Sequence, residues 1–490
     1  MTMRMNDIII YPTVDLFLYD LRESLGQDPA QLDRNWDNFK HKLPAELQGC
    51  LKRDTSFDPE SVDLLDERFY KFGNPGDTYQ GFYYPVRMSD TYGLLLDCSI
   101  NDTKKPYPAK SIKRVKEEID RRLGGETPTL GQTWLISAQL PDPQVQNAED
   151  IAKICYKSLL PLCDWGDDLQ GSGTVFGGRA FELWHYESLL SEMPENSDRD
   201  RSSNIWPTFT SHHVIIVLYP NAKSAQAGAE LHCDWMRLFA YRAKILWAYA
   251  QTRQLKQWLK QDSIAIQDCL QEIRGDRHKS LPLPQLQSTL NQARSLVPDY
   301  TIDIGYLADQ ERTMAINLYN YQRRIKSIAE EATSSEFAPV GFPPPNLAFL
   351  ANFSDDVAEK YLLQVRKDYE NLAPGLQRLE FAIATIRSLV EVDRADRDRR
   401  FQTNVTVLGW GLAAAGLVVS LSAQFPYVIV PVEVLRREGA GETQNRAIAT
   451  VELQPSVSAS WDAAIYSAVY SIGAAGAVMA IAWLWMRLRK

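Results

Sequence analysis

The spacing of apolar residues changes character three times along the chain, and each change predicts a different kind of structure. Up to about Pro220, short apolar runs are separated by polar turns, and residues 81–86, 93–99, 133–139, 181–186 and 213–219 read as strands. Residues 111–123 and 147–160 read as helices among them. Only some of these strands alternate with helices, which predicts a mixed sheet rather than a doubly wound one. The polar segments 54–59 and 192–204 read as loops. Beyond Pro220 the period becomes helical: Leu231, Trp235, Leu238, Ile245, Leu246 and Tyr249 share one face. Two later runs, Met314, Leu318, Tyr321, Ile325, Ile328 and Leu376, Leu379, Ile383, Ile386, Val390, step by three and four residues, as a short heptad seam does. The proline-rich segment 337–346 separates them, because proline lacks the amide donor and clashes with the preceding turn. Pro374 kinks or restarts the last of these helices.

The third change comes near the C-terminus. Residues 405–425 and 463–485 are strongly apolar and contain no Asp, Glu, Lys, Arg or His. About 20 apolar residues in a helix cross the hydrocarbon core of a bilayer, so both stretches predict transmembrane helices. Arg394, Arg397, Arg399 and Arg400 precede the first stretch, and Arg487, Arg489 and Lys490 follow the second. That bias predicts cytoplasmic N- and C-termini and an outside loop, in a two-span inner-membrane protein with the bilayer as a partner. The N-terminal 19 residues carry no signal-peptide pattern, which agrees with a cytoplasmic start. The expected organisation is an α+β cytoplasmic domain over residues 1–225 and a helical stalk region over 226–404. A first span over 405–425, a loop over 426–462 with a possible β-hairpin, a second span over 463–486 and a basic tail over 487–490 complete it.

Composition narrows the classes. The net charge is −9 and no basic block interleaves with aromatics, so nucleic acid is not an expected partner. The six cysteines include no Cys-x-x-Cys pair, and inside the cell they are expected to be reduced thiols. No cofactor motif is evident and no catalytic motif is readable, so the chain does not read as an enzyme. His212, His213, His232, Cys233 and Asp234 could ligate a metal with Asp164, Asp167 and Asp168, but their spacing matches no zinc pattern. Gly171-Ser-Gly-Thr-Val-Phe-Gly-Gly178 suggests a phosphate loop but runs into apolar residues that read as a strand, so it reads as a hairpin turn.

Before the first apolar stretch no Gly or Pro interrupts residues 376–408, so one helix is expected to run from the stalk into the span. The order of a cytoplasmic α/β domain, a long stalk helix continuous with a first span, an outside loop, a second span and a basic tail resembles the CorA family of divalent-metal transporters and channels. The resemblance implies a homo-oligomer of pentameric type, a divalent metal ion as cargo, and a pore lined by the first span and gated by the cytoplasmic domain. On that pattern Asn404, Ser420 and Gln424 are candidate pore-lining residues. Asp393, Asp396, Arg397 and Arg400 would form a charged ring at the pore mouth, or else a solvated helix face with local ion pairs. Gly409, Ala413 and Gly416, with Gly473 and Ala477, are candidate helix-packing positions. The family's Gly-Met-Asn triplet does not occur, and Ser422-Ala423-Gln424-Phe425-Pro426 stands in its place. CorA-like proteins without the triplet serve as membrane effectors of defence systems. The resemblance therefore also implies a second expectation, an anchored effector whose cytoplasmic domain senses a nucleotide, another small molecule or a protein partner.

Overall fold

The computed structural model describes residues 7–24, 27–53, 60–186, 211–275, 283–333 and 344–422, together with Ala480. Its centre is a ten-stranded mixed sheet. The strands are β1 (Ile8–Leu21), β2 (Ser61–Asp63), β3 (Tyr70–Phe72), β4 (Tyr79–Met88), β5 (Thr91–Ile100), β6 (Pro106–Pro108), β7 (Gly131–Gln139), β8 (Leu169–Val175), β9 (Gly178–Tyr186) and β10 (Ser211–Tyr219). The order along the sheet is β2-β4-β5-β1-β7-β10-β9-β8, with β3 paired to β4 and β6 to β1. Every pairing is antiparallel except that of β7 with β10. The mixed sheet expected from the apolar runs is therefore present, and all five expected strands lie in it.

Strand β1 occupies the middle although Pro12 lies within it. Proline removes one ladder amide and is tolerated in a central strand only where pairing is locally broken. The register between β1 and β7 shifts between Ile10 and Thr13, and Tyr11 takes a positive φ of 49° there. The irregularity thus absorbs the proline.

Side chains on the two faces of β1 enter different layers. Val14, Leu16 and Leu18 join a core with α1 (Pro29–Lys40), α3 (Ile112–Leu123) and α4 (Ala148–Leu159). Helix α3 buries Ile112, Val115 and Ile119, the three- and four-residue spacing that sets one helical stripe against a sheet. Helix α4 starts where Asn147 accepts a hydrogen bond from the Glu149 amide, 3.1 Å, and it buries Ile151, Cys155, Tyr156 and Leu159. Each such side chain, fully buried, contributes roughly 1.5–3 kcal/mol. On the opposite face, Phe17 meets Phe239 edge-on at 5.2 Å and the Tyr19 hydroxyl donates to the Met236 carbonyl, 2.8 Å. Both partners belong to α7 (His232–Gly275), a 44-residue helix entered from α6 (Ala222–Glu230). Helices α8 (Leu283–Thr333) and α9 (Ala348–Asp356) follow. A π-helical segment over Val357–Leu362, α10 (Leu363–Leu372) and α11 (Pro374–Ser422) complete the described chain. Pro374 restarts the helix, as expected, and α11 then runs without a break.

The glycine-rich stretch is a hairpin. Strands β8 and β9 are joined by Phe176 and Gly177, both at positive φ (45° and 73°), the conformation that a two-residue hairpin turn requires. A side chain on Gly173 would strike the Asn346 carbonyl and the Phe349 ring, so that position must be small for α9 to sit on β8.

The chain divides into two units, residues 1–274 with 292–382 and residues 275–291 with 383–490. No helix among the described residues is long and apolar enough to cross a membrane. This corrects the expected fold class, an α+β domain followed by two C-terminal transmembrane helices. The inner-membrane location and the membrane, channel and ion-transport readings are corrected with it. Helix α11 is described as far as Ser422, so it takes in only part of the apolar run that begins at Val405. The remainder of the first stretch, the segment 426–462, the second stretch apart from Ala480 and the basic tail lie outside the described residues.

Candidate functional site

The first turn of α7 carries a thiol among cations. Asn221 caps α6 by accepting from the Ser224 amide, 2.9 Å, and α6 ends one residue before Leu231, after which α7 begins at His232. Two adjacent residues, His232 and Cys233, therefore sit where helix amides are unpaired and the helix dipole is positive, a setting that favours a thiolate. The His232 ring points Nδ1 at the Ala229 carbonyl, 3.1 Å, and Nε2 at the Cys233 sulfur, 3.3 Å. A carbonyl only accepts, so Nδ1 carries a hydrogen, and Nε2 either accepts from the Cys233 thiol or, when protonated, donates to its thiolate. From the other side, Arg68 donates from Nη2 to the same sulfur, 2.6 Å.

These charges decide the state of the thiol. Burial works to raise its pKa, but the hydrogen bond and charge of His232, the charge of Arg68 and a hydrogen bond with Tyr84 outweigh it, so the thiol titrates below its ordinary value. The partner responds in kind. Burial lowers the His232 pKa, yet the hydrogen bond and charge of Cys233, with the Ala229 carbonyl, carry it above the usual imidazole value. The sulfur opens on a cavity of about 230 Å³ whose lining includes Asp63, Arg68, Tyr84, Met236 and Arg237. The Tyr84 hydroxyl donates to Asp63, 2.7 Å. Phe69 fixes the wall by meeting Phe82, Tyr84 and His232 at 4.8, 5.1 and 5.5 Å, and the Arg68 guanidinium lies 5.3 Å from the rings of Phe69 and Tyr84. The next residue of α7, Asp234, accepts from Arg324 of α8 at 2.7 Å, which ties the head of one long helix to the next.

A second constellation lies on the same face of the sheet and is closed to solvent. His213 places Nδ1 2.9 Å from the Thr133 hydroxyl and Nε2 3.0 Å from the Glu182 carboxylate. The order Thr-His-Glu is that of a hydrolase triad. The three residues are only 1–3% exposed, and no substrate reaches them. Burial holds His213 well below the ordinary imidazole pKa and pushes Glu182 up to about 7, against the pull of Arg242. The Arg242 guanidinium lies between the rings of Trp184 and Phe353, at 4.6 and 4.2 Å. This network is structural: it locks β7, β9 and β10 to α7 and α9.

The structure separates the residues that the sequence grouped as possible metal ligands. His232 and Cys233 form the thiol pair, Asp234 holds Arg324, and His213 belongs to the closed network. Asp164 caps α5 (Trp165–Asp168) by accepting from the Gly166 amide, 2.7 Å, and Asp167 is exposed. Asp168 instead meets Cys163 and His185, which sequence reasoning did not select. Cys163 adjoins the selected Asp164, but His185 is distant in sequence and offered only its chemical type. Arg68 was missed for the same reason.

The residues read as pore-lining and packing candidates fall on or beyond α11. Asn404 is exposed, Gly409 has open space where a side chain would project, and Ser420, Ala413 and Gly416 are helical. Gln424, Gly473 and Ala477 lie outside the described residues. Of the charged set, Asp393 and Arg397 form an i,i+4 pair at 3.0 Å, Arg400 is exposed and Asp396 is helical.

No protein family matches the sequence, and no curated protein matches it. A solved structure described as "structure of the full-length CmaX protein" is similar over 74% of this chain and 89% of that one, at 13% identity and a TM-score of 0.23. A likeness of that size carries no argument about fold or function.

Proposed function

We propose that this chain is a sensing protein in which Cys233 registers a small peroxide-class oxidant and α7 carries the result to α8. The observation that supports it is the placement of a doubly cation-paired thiol, open to a cavity, on the first turn of a 44-residue helix. The reading keeps the sensing half of the effector expectation and assigns its input a chemistry. The thiolate sulfur attacks one peroxide oxygen, the O–O bond breaks, and sulfur is oxidised by two electrons to a sulfenic acid. The departing hydroxide takes the second proton of His232 and leaves as water. The sulfur then carries no charge and His232 is neutral, so Arg68 alone keeps its charge and loses its anion. Asp234, one residue along, is the link by which that change is felt at Arg324 of α8.

Cys50 provides an internal reference, because it is exposed and its sulfur meets only the Glu46 carbonyl, 3.5 Å. Alkylation followed by mass spectrometry across a pH series reads both thiols at once. The expected result is a lower midpoint for Cys233 than for Cys50, raised in Arg68→Ala. Peroxide should oxidise Cys233 first, and amide hydrogen exchange should then rise at the head of α7 and around Arg324. A Cys233 midpoint at or above that of Cys50 would overturn the proposal, and unchanged exchange after oxidation would remove the helix output.

A further inference from the structure

Asp168 and Cys163, on one turn of chain, come together with His185 of a distant strand, and their chemistry is not used by the thiol pocket. Asp168 closes α5, His185 lies on β9, and Cys163 lies in the turn between α4 and α5. One ligand atom from each falls within 4.8 Å of the others. Asp168 and Cys163 are buried, whereas the His185 side chain keeps 36% of its surface exposed. We propose that these three side chains bind one divalent cation of the zinc class.

Three observations carry the assignment. First, the donor set is one sulfur, one nitrogen and one oxygen, the mixture that a borderline-soft ion accepts and a hard ion such as magnesium does not. A thiolate and a carboxylate together balance the charge of a divalent ion. Second, the carboxylate is already aimed. The Tyr156 hydroxyl donates to Asp168 Oδ2 at 2.7 Å, which leaves Oδ1 facing His185 Nδ1 at 2.9 Å. The same hydroxyl hydrogen-bonds Cys163, so one residue outside the donor set holds two of its members. Third, the surroundings suit a metal site with one open position. Trp165 walls one side, against Tyr156 at 6.1 Å and Phe181 at 5.6 Å, and the His212 ring lies nearly parallel to His185 at 6.5 Å. Three protein ligands with a solvent-facing edge leave a fourth position for water or a small ligand. Bound there, the ion would clip the α4–α5 turn to β9.

The test uses the full chain as Cys233→Ser, so that the sensing thiol contributes no metal affinity and failure of one proposal leaves the other standing. Chelator-treated protein is titrated with zinc by calorimetry, and with cobalt by absorption, where thiolate-to-metal charge transfer reports sulfur ligation directly. The expected result is one ion per chain, with the charge-transfer band lost in Cys163→Ser. Loss of the partly exposed ring in His185→Ala removes binding without opening the core. Tyr156→Phe keeps the three ligands and weakens affinity by roughly tenfold, the usual effect of an orienting partner. Absence of stoichiometric binding, or binding unchanged in both Cys163→Ser and His185→Ala, would overturn the assignment.

Discussion

His232 opens the long helix α7 and His213 packs beneath it, and their imidazole pKa values are shifted in opposite directions. Burial opposes the charged form of both. At His232 the adjacent Cys233 and a carbonyl outweigh that penalty and raise the ring's pKa, on the open side of a cavity. At His213 the nearby Arg242 adds to the penalty, and the ring stays neutral between a hydroxyl and a carboxyl group in the closed interior. A His with hydrogen-bonding neighbours is therefore not enough to make a reactive site. The sign of the second neighbour and access to solvent decide whether the ring serves chemistry or packing.

The largest expected effect breaks the closed member of the pair. Glu182→Ala leaves the buried Nε2 of His213 without its partner and opens a cavity beside it, and should cost about 3 kcal/mol in chemical denaturation. A loss under about 1 kcal/mol would mean that the network is not structural.

The pH dependence comes next. Glu182 holds its proton up to about pH 7 in the folded chain, and Asp15, opposite Asp97 across β1 and β5, holds its proton up to about 6. Unfolded carboxyl groups lose theirs near pH 4, so between these values the folded state binds more protons and stability falls as pH rises. For Glu182 alone the fall is on the order of 2–3 kcal/mol between about pH 4.5 and 7. Glu182→Gln should flatten the slope in that window, and an unchanged slope would assign it to other groups.

Arg324→Ala removes the half-buried pair with Asp234 and should cost about 1–2 kcal/mol, because a charged hydrogen bond is lost at the head of α7. The same variant should uncouple Cys233 oxidation from exchange changes in α8. The smallest effect on stability sharpens the open member of the pair: His232→Gln should change stability by less than about 1 kcal/mol. It should nevertheless move the Cys233 alkylation midpoint upward. A midpoint that stays put would show that Arg68 alone sets the thiolate.

Much of the sheet was legible because β4, β5, β7, β9 and β10 are rich in branched and aromatic residues. Strand β1 was not. Pro12, Asp15 and Asp20 interrupt its apolar pattern, and each answers to something distant: a register shift, the carboxyl of Asp97, and a buried pair with Lys42 at 3.2 Å. Strand β8 reads as a turn because Gly171 and Gly173 are selected by the approach of α9, which local sequence does not contain. The adjacency of His232 and Cys233 was visible, but their chemistry was not, since Arg68 arrives from a polar turn far away in sequence. His185 had no local signature, because folding alone brings it to Asp168, whereas Cys163 lies only five residues before Asp168 in the chain.

The central position of β1 has a consequence for how the chain is made. Its ladder partners β5 and β7 are encoded well downstream, and β7 in turn waits for β10 to supply its parallel edge. At about 5–20 residues per second, translation delivers those partners seconds after β1 leaves the ribosome. During that interval a strand with apolar residues on both faces has no native neighbour, so the newborn chain exposes an aggregation-prone edge until the middle of the sheet can close.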